Sequence, residues 1–144
     1  MANVFDVAEY ILSQRGGMSA MKLQKLVYYS KAWHLVWDEA ELFPERIEAW
    51  ANGPVVRTLY GAHRGNFFVE PGQFAERRQA DLTDEERDSI DRVLMFYGDK
   101  DPQWLSNLTH MESPWQDARV GVADGDRCDK EITAESMVEY YSSL

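Results

Sequence analysis

The sequence predicts a mainly α-helical fold, with six or seven helices packed compactly around a central buried helix. Three observations lead to this prediction. The chain has 144 residues, the usual size of one domain. Several segments repeat apolar residues at helical spacing, and capping residues, glycines and prolines separate those segments. Because no repeat or linker divides residues 1–144, we expect a single domain with at most a small β-hairpin.

The first two helices follow directly from the apolar pattern. Residues 4–15 place apolar side chains on one face, Asn3 precedes them as a capping residue, and two glycines follow. Residues 19–39 are apolar on nearly every side, which is typical of a helix that other helices surround. We therefore expect the second helix to lie at the centre of the fold.

The middle of the chain combines short extended segments with one helix. Residues 47–51 follow a loop and predict a brief strand, and residues 67–69 are the candidate for its pairing partner. The Asn-Gly-Pro sequence ending at Pro54 is a turn signal. Proline favours the first position of a helix, so the next helix is expected to begin at Pro54 and to end at Gly65.

Capping residues mark the starts of the four remaining helices. Two of these caps, Thr83 and Ser113, have Glu or Gln three residues later, which is the pattern of a capping box. Prolines at the first helical positions support two of the starts. The four predicted caps are Thr83, Asp101, Ser113 and Thr133.

The charge balance narrows the classes of partner. The formal net charge is −10 and the pI is about 4.7, which disfavours binding to nucleic acid and to anionic membranes. No apolar run approaches the roughly 20 residues that span a bilayer, and the N-terminal segment lacks the basic start of a secretory signal. Aromatic residues make up 12% of the chain and suit a protein interface. We therefore expect a cytoplasmic protein with a protein partner.

Signals for metal binding or catalysis are weak. Cys128 is the single cysteine, which excludes a disulfide framework, and the three histidines do not stand at ligand spacings. No nucleotide-binding or nucleophile motif occurs. No metal, cofactor or catalytic residue is assigned. A small enzyme that uses His34, Glu48 and His110 is a remote alternative.

Three blocks of sequence, taken in order, resemble the signatures of the Panacea domain family. This family consists of antitoxins from bacterial and phage toxin–antitoxin pairs. The first block is MKLQKLVYYSKAWHL at residues 21–35, and the second is IEAWANGPVV at residues 47–56. The third is LSNLTH at residues 105–110, followed by SPW at residues 113–115. The resemblance extends from about residue 18 to residue 141.

The resemblance implies a helical, non-enzymatic antitoxin that neutralises a cognate protein toxin by binding it. The adjacent gene is the expected source of that toxin, and a role in phage defence is implied as well. No particular toxin is implied, because members of the family differ in the toxin they recognise. The family also leaves open an adaptor that delivers the toxin to an energy-dependent protease. Residues 66–82 match the family little.

Two sets of residues within these blocks have candidate roles. The structural set is Leu23, Leu26, Trp33, His34, Gly53, Pro54, His110, Pro114 and Trp115. The second set is a candidate for partner contact in a groove between the signature helix and the Gly-Pro turn: Lys25, Tyr28, Tyr29, Trp50 and Tyr60. Core packing is the alternative for each member, because large aromatic side chains at helical spacing usually point inward. The net negative charge favours a basic toxin, or mimicry of nucleic acid at the toxin's substrate groove.

Overall fold

A computed structural model describes residues 1–144 and contains seven α-helices and two small β-sheets, which confirms the predicted mainly α class. The helices are α1 (Val4–Arg15), α2 (Ala20–Asp38), α3 (Arg57–His63), α4 (Asp84–Tyr97), α5 (Pro102–His110), α6 (Ser113–Ala118) and α7 (Ala134–Tyr141). The strands are β1 (Met18–Ser19), β2 (Ile47–Trp50), β3 (Gly53–Val55), β4 (Phe68–Val69) and β5 (Glu131–Ile132). None of the helices combines the length and the apolar character that crossing a bilayer requires.

Helix α2 lies at the centre, as predicted, and packs against α1, α4, α5 and α7. Its apolar residues face in every direction, so several neighbours are needed to cover them. The Ser19 side chain caps its first turn by accepting the N–H of Lys22 at 3.1 Å. The helix ends where Glu39 takes a left-handed conformation with φ of 54°.

Three of the four caps predicted for the later helices are confirmed, together with Asn3 on α1. Thr83 forms the predicted capping box with Glu86, and side-chain oxygens at the other helix starts accept backbone N–H groups. The capping box predicted at Ser113 is wrong. Glu112 holds the cap position of α6 and makes no side-chain capping bond, because its carboxylate accepts hydrogen bonds elsewhere.

The strands form two separate antiparallel sheets, with β1 paired to β4 and with β2 lying between β3 and β5. The strand predicted around residue 68 is present, but its predicted pairing with residues 47–51 is wrong. Both edges of β2 are already occupied, so the hydrogen-bonding groups of Phe68 and Val69 pair instead with Ser19 and Met18.

The predicted helix start at Pro54 is also wrong. Residues 53–55 continue as a strand, with Pro54 opposite Ala49, and α3 begins only at Arg57. The missing N–H of proline leaves no acceptor unsatisfied here, because the carbonyl of Ala49 accepts from Arg119 and its N–H donates to the carbonyl of Lys130. The Gly-Pro sequence therefore closes a β-hairpin and directs the chain back toward α2.

Candidate functional site

A groove with a volume of about 1060 Å³ lies beside the first turns of α2. The hairpin of β2 and β3 forms one side, and α3 with the segment that follows it forms another. Residues 127–129, from the loop before β5, line the remaining wall. The groove thus joins parts of the chain that are far apart in sequence.

Gln24 of α2 positions the start of α3. Its Oε1 accepts the N–H of Val56 at 2.9 Å, and its Nε2 donates to the carbonyl of the same residue at 3.3 Å. Gln24 is only 2% exposed, and Val56 is fully buried. The bonds from Gln24 therefore satisfy backbone groups of Val56 that water cannot reach. One amide therefore holds both backbone polar groups of Val56.

The same amide determines the role of His63. Gln24 Nε2 lies 3.0 Å from His63 Nε2 and is the donor, because Gln24 Oε1 already faces a backbone N–H. Burial lowers the pKa of His63, and the nearby charge of Lys25 lowers it further. The ring is accordingly neutral at pH 7, with Nε2 as an acceptor.

Lys25 forms part of the groove floor and is only 1% exposed. Its Nζ donates to the carbonyl of Pro54 at 3.0 Å, and no carboxylate pairs with it. Burial lowers the pKa of this ammonium group to about 7. The amine at the floor of the groove is therefore only partly protonated at pH 7, because it is removed from water and has no anion beside it.

Gly53 allows the hairpin to lie against this lysine. Its φ is 119°, a conformation that side chains rarely allow. A Cβ atom on Gly53 would lie 2.7 Å from Cε of Lys25 and 2.9 Å from Oγ1 of Thr109. Both the backbone conformation and the available space require glycine here.

Two aromatic side chains and an ion pair join the hairpin to α3. Trp50 and Tyr60 meet edge to face with ring centroids 4.8 Å apart. Glu48 accepts from Trp50 Nε1 at 2.8 Å and from Arg57 Nη2 at 2.9 Å. These hydrogen bonds lower the pKa of the Glu48 carboxyl against the opposing effect of its burial. The wall is thus preorganised before any partner binds.

Two further arginines face the groove from opposite sides, Arg64 after α3 and Arg127 in the loop before β5. Both are exposed, and neither forms an ion pair. Asp129 is the one carboxylate among the lining residues. The groove is therefore basic, in contrast to the chain as a whole.

A family model described as antitoxin SocA-like, Panacea domain, matches residues 23–116, more than half of the chain and most of the groove lining. The chain belongs to this family. No match was found among curated proteins, and none among solved structures.

The five residues considered for partner contact lie in two different parts of the Panacea domain fold. Lys25, Trp50 and Tyr60 line the groove. Tyr28 and Tyr29 are not among the lining residues, and both lie in the core with 1% and 0% exposure. This placement corrects the groove assignment of the two tyrosines, which have no surface to offer a partner.

The buried tyrosines instead form a hydrogen-bonded cluster around Glu112. Tyr29 and Tyr141 each donate to Glu112 Oε1 at 2.7 Å, and the hydroxyls of Tyr28 and Tyr141 lie 2.9 Å apart. Burial raises the pKa of Glu112 despite these bonds. Since the tyrosines belong to α2 and α7, this one carboxyl group ties the C-terminal helix to the central helix.

The residues of the structural set hold the blocks of the Panacea domain together. Trp115 donates to the carbonyl of Trp50 at 2.8 Å, and both ring nitrogens of His110 face carbonyls, of Ser106 and Ala51. Leu23 and Leu26 are fully buried, and Trp33 donates to the hydroxyl of Tyr97 at 3.0 Å. The others are buried as well: His34, Gly53, Pro54 and Pro114.

The three residues of the enzymatic alternative do not share a site through their hydrogen bonds. His34 bonds Ser89 at 2.8 Å, on the face toward α4. Glu48 is held by the groove wall, and both nitrogens of His110 are engaged by backbone carbonyls. The fold also contains no cluster of three or more side chains of the metal-ligating kind.

Sequence reasoning missed several residues that build the groove. Gln24 lies within the signature block, but only the fold reveals that it grips Val56. Arg64 and Arg127 lie on separate segments, and no local pattern connects them. Arg119 donates to the carbonyls of Ala49, Ala123 and Asp126 and so anchors the loop that carries Arg127.

Proposed function

We propose that this protein is the antitoxin of a toxin–antitoxin pair and neutralises its cognate protein toxin by direct binding, without catalysing a reaction. The family supports an antitoxin role and a toxin partner in general. The observation that carries direct binding is the groove, because most of its lining lies within the segment that defines the family. We further propose that the adjacent gene encodes the toxin and that binding takes place in the cytoplasm.

The chemistry of the groove suits a protein partner. Trp50, Tyr60 and Arg57 stand together on one side, and Trp, Tyr and Arg are the residue types most enriched among those that dominate binding energy. Their positions are already set by the bonds to Glu48 and by the edge-to-face contact. Because these side chains are already held in place, they lose little conformational entropy when a partner binds.

Growth rescue tests the proposal. The neighbouring open reading frame is induced alone, and then together with this protein, in a host that carries neither. Neutralisation predicts growth arrest that co-expression relieves, in a host with its energy-dependent proteases and in one that lacks them. Rescue confined to the protease-containing host, with falling toxin levels, would identify an adaptor instead. A harmless neighbour, or arrest despite well-expressed protein, would contradict the proposal.

A pair of variants connects the rescue to the groove. Tyr60→Ala removes a half-buried ring whose hydroxyl makes no hydrogen bond in the fold, and we expect it to weaken rescue and toxin capture. Trp104→Ala removes a ring that is 41% exposed and outside the groove, and we expect full rescue. Equal rescue by both variants would move toxin binding to another surface.

A further inference from the structure

The distribution of charge carries more information than the net charge. Three arginines, Arg57, Arg64 and Arg127, line the groove together with the partly protonated Lys25, and Asp129 is the only anion. Since the whole chain has a net charge of −10, the surface outside the groove is more negative still. The groove is a basic island on an acidic protein. The simple expectation that an acidic antitoxin presents acids to its partner does not hold at this surface.

The cations differ in their availability. Arg57 is already bonded to Glu48, so its charge is largely compensated. Arg64 and Arg127 are exposed and form no ion pair. Arg64 lines the groove just after the end of α3, and Arg127 lines it from the loop before β5. These two arginines are free to meet an anion that enters the groove, and neither would have to give up a partner.

The floor adds a second reason for an anion. Lys25 donates one hydrogen bond, to the carbonyl of Pro54, and no carboxylate pairs with it. Its neighbour His63 is a neutral acceptor that offers no compensating charge. A carboxylate that enters the groove above Lys25 would therefore stabilise its charged form, which burial otherwise disfavours.

We propose that the groove receives an acidic segment of the partner protein, with carboxylates meeting Arg64 and Arg127 and apolar side chains packing on Trp50 and Tyr60. This inference rests on the proposed function and names the chemistry of the toxin segment. The aromatic walls, and Phe67 with 83% exposure at the rim, call for an apolar component beside the charges.

A protein segment fits these observations better than nucleic acid does. A phosphate backbone carries charge continuously along its length and needs many cations along its path. Here the free cations number two, and a strand leaving the groove would meet the acidic remainder of the surface. A protein segment can confine its carboxylates to the groove and place other residues elsewhere.

Labelled peptides and the purified full-length protein provide the direct test. The probes are a short peptide of alternating Glu and Leu, its Gln counterpart and its Lys counterpart, and fluorescence anisotropy reports binding. The Glu peptide alone should bind, and added salt should weaken it. The double variant Arg64→Glu with Arg127→Glu should weaken binding at least about tenfold. Equal binding of the Glu and Gln peptides would overturn the inference.

Lys130→Glu is the matched control. Lys130 lies three positions from Arg127, is exposed, forms no ion pair and does not line the groove. We expect less than about a twofold change in peptide affinity. A loss as large as that of the double variant would show that net charge, and not the groove, governs binding. Tight binding of inorganic phosphate or single-stranded DNA with no binding of the Glu peptide would also overturn the inference.

Growth rescue with the same variants separates this inference from the proposed function. Rescue by the wild type and by Lys130→Glu, with failure of the folded double variant, supports both. Rescue by the double variant as well would overturn the acidic-segment inference and leave direct neutralisation standing. If the wild type fails to rescue, the proposed function falls, and the peptide measurement still decides whether the groove recognises carboxylates.

Discussion

Gln24 holds Val56 at both of its backbone polar groups, with Oε1 accepting at 2.9 Å and Nε2 donating at 3.3 Å. Val56 is the single residue between the end of β3 at Val55 and the start of α3 at Arg57. The Val56 side chain makes no capping hydrogen bond, and the side-chain hydrogen bonds at this junction come from Gln24 of the central helix. This contact fixes one side of the groove to its floor.

Gln24→Leu is therefore expected to destabilise the protein. The change leaves the buried N–H of Val56 and the acceptor nitrogen of His63 without partners, at a cost of about 2–4 kcal/mol. The Val56 carbonyl keeps the N–H of Tyr60, 3.0 Å away. Urea unfolding measures the free energy of unfolding. Gln103→Leu is the control, because that amide bonds only Asn107 on an exposed helix face, and its effect should stay within about 0.5 kcal/mol.

Gly53 and Gly61 should respond in opposite ways to alanine. Gly53→Ala forces a side chain into a positive φ and against Lys25, so we expect a loss of about 2–4 kcal/mol. Gly61 lies within α3 with open space around its Cα, so Gly61→Ala should stabilise by about 0.5–1 kcal/mol. Thermal unfolding of the two variants measures the contrast. A neutral Gly53→Ala would contradict the close approach of hairpin and lysine.

Lys25 should make stability rise with pH. Its folded pKa is about 7 and its ordinary value is 10.5. Between these values the unfolded chain binds more protons than the folded one, so the free energy of unfolding increases with pH. Relative to Lys25→Met, the wild type should gain up to about 1.4 kcal/mol per pH unit above pH 7. Denaturant unfolding of both proteins from pH 6 to pH 9 measures this gain.

Lys130→Met provides the reference for that series. Lys130 is exposed, so its difference from the wild type should stay constant with pH. A difference between the wild type and Lys25→Met that is likewise flat would show that the Lys25 ammonium keeps its usual proton affinity in the fold.

Glu112 should have the opposite pH dependence. Burial raises its pKa above the ordinary 4.5, so the folded state binds the extra proton and stability is greatest at low pH. That contribution is lost as pH rises from about 4.5 through the raised folded pKa. Glu112→Gln keeps an oxygen acceptor for both tyrosines and never ionises. We expect it to be more stable than the wild type at pH 7 and to approach the wild type near pH 4, as urea unfolding would measure.

Glu112→Leu separates the acceptor from the charge. It leaves the hydroxyls of Tyr29 and Tyr141 buried without their shared partner, and we expect a loss of about 2–4 kcal/mol. If Glu112→Leu and Glu112→Gln proved equally stable, the hydrogen bonds of the cluster would contribute nothing.

The sequence predicted most helices correctly, but it predicted a wrong start for α3 and a wrong cap for α6. Apolar spacing and caps such as Thr83 are local properties, and the structure confirms them. Pro54 misled because proline suits a helix start and a strand position alike, and the choice depended on pairing with Ala49. Ser113 failed as a cap because the carboxylate of Glu112 has a tertiary partner that no local pattern reveals.

The candidate site shows the same division. Lys25, Trp50 and Tyr60 line the groove, and their contact with a partner stays a prediction. For Tyr28 and Tyr29 the same pattern could not decide, because a helix that is apolar all round has no distinguishable outer face. The opposing arginines required the tertiary fold, since distant residues are brought together only by packing.

The guanidinium group of Arg119 has a consequence for how such a groove can diversify. It donates to two backbone carbonyls of the loop before β5, those of Ala123 and Asp126, and to the carbonyl of Ala49 in β2, but to no side chain of that loop. Apart from Gly121 and Gly125, whose φ values of 87° and 86° favour glycine, residues 120–131 can therefore change their side chains without removing these bonds. The sequence of this one wall can thus vary while the hairpin and α3 keep the rest of the groove in place.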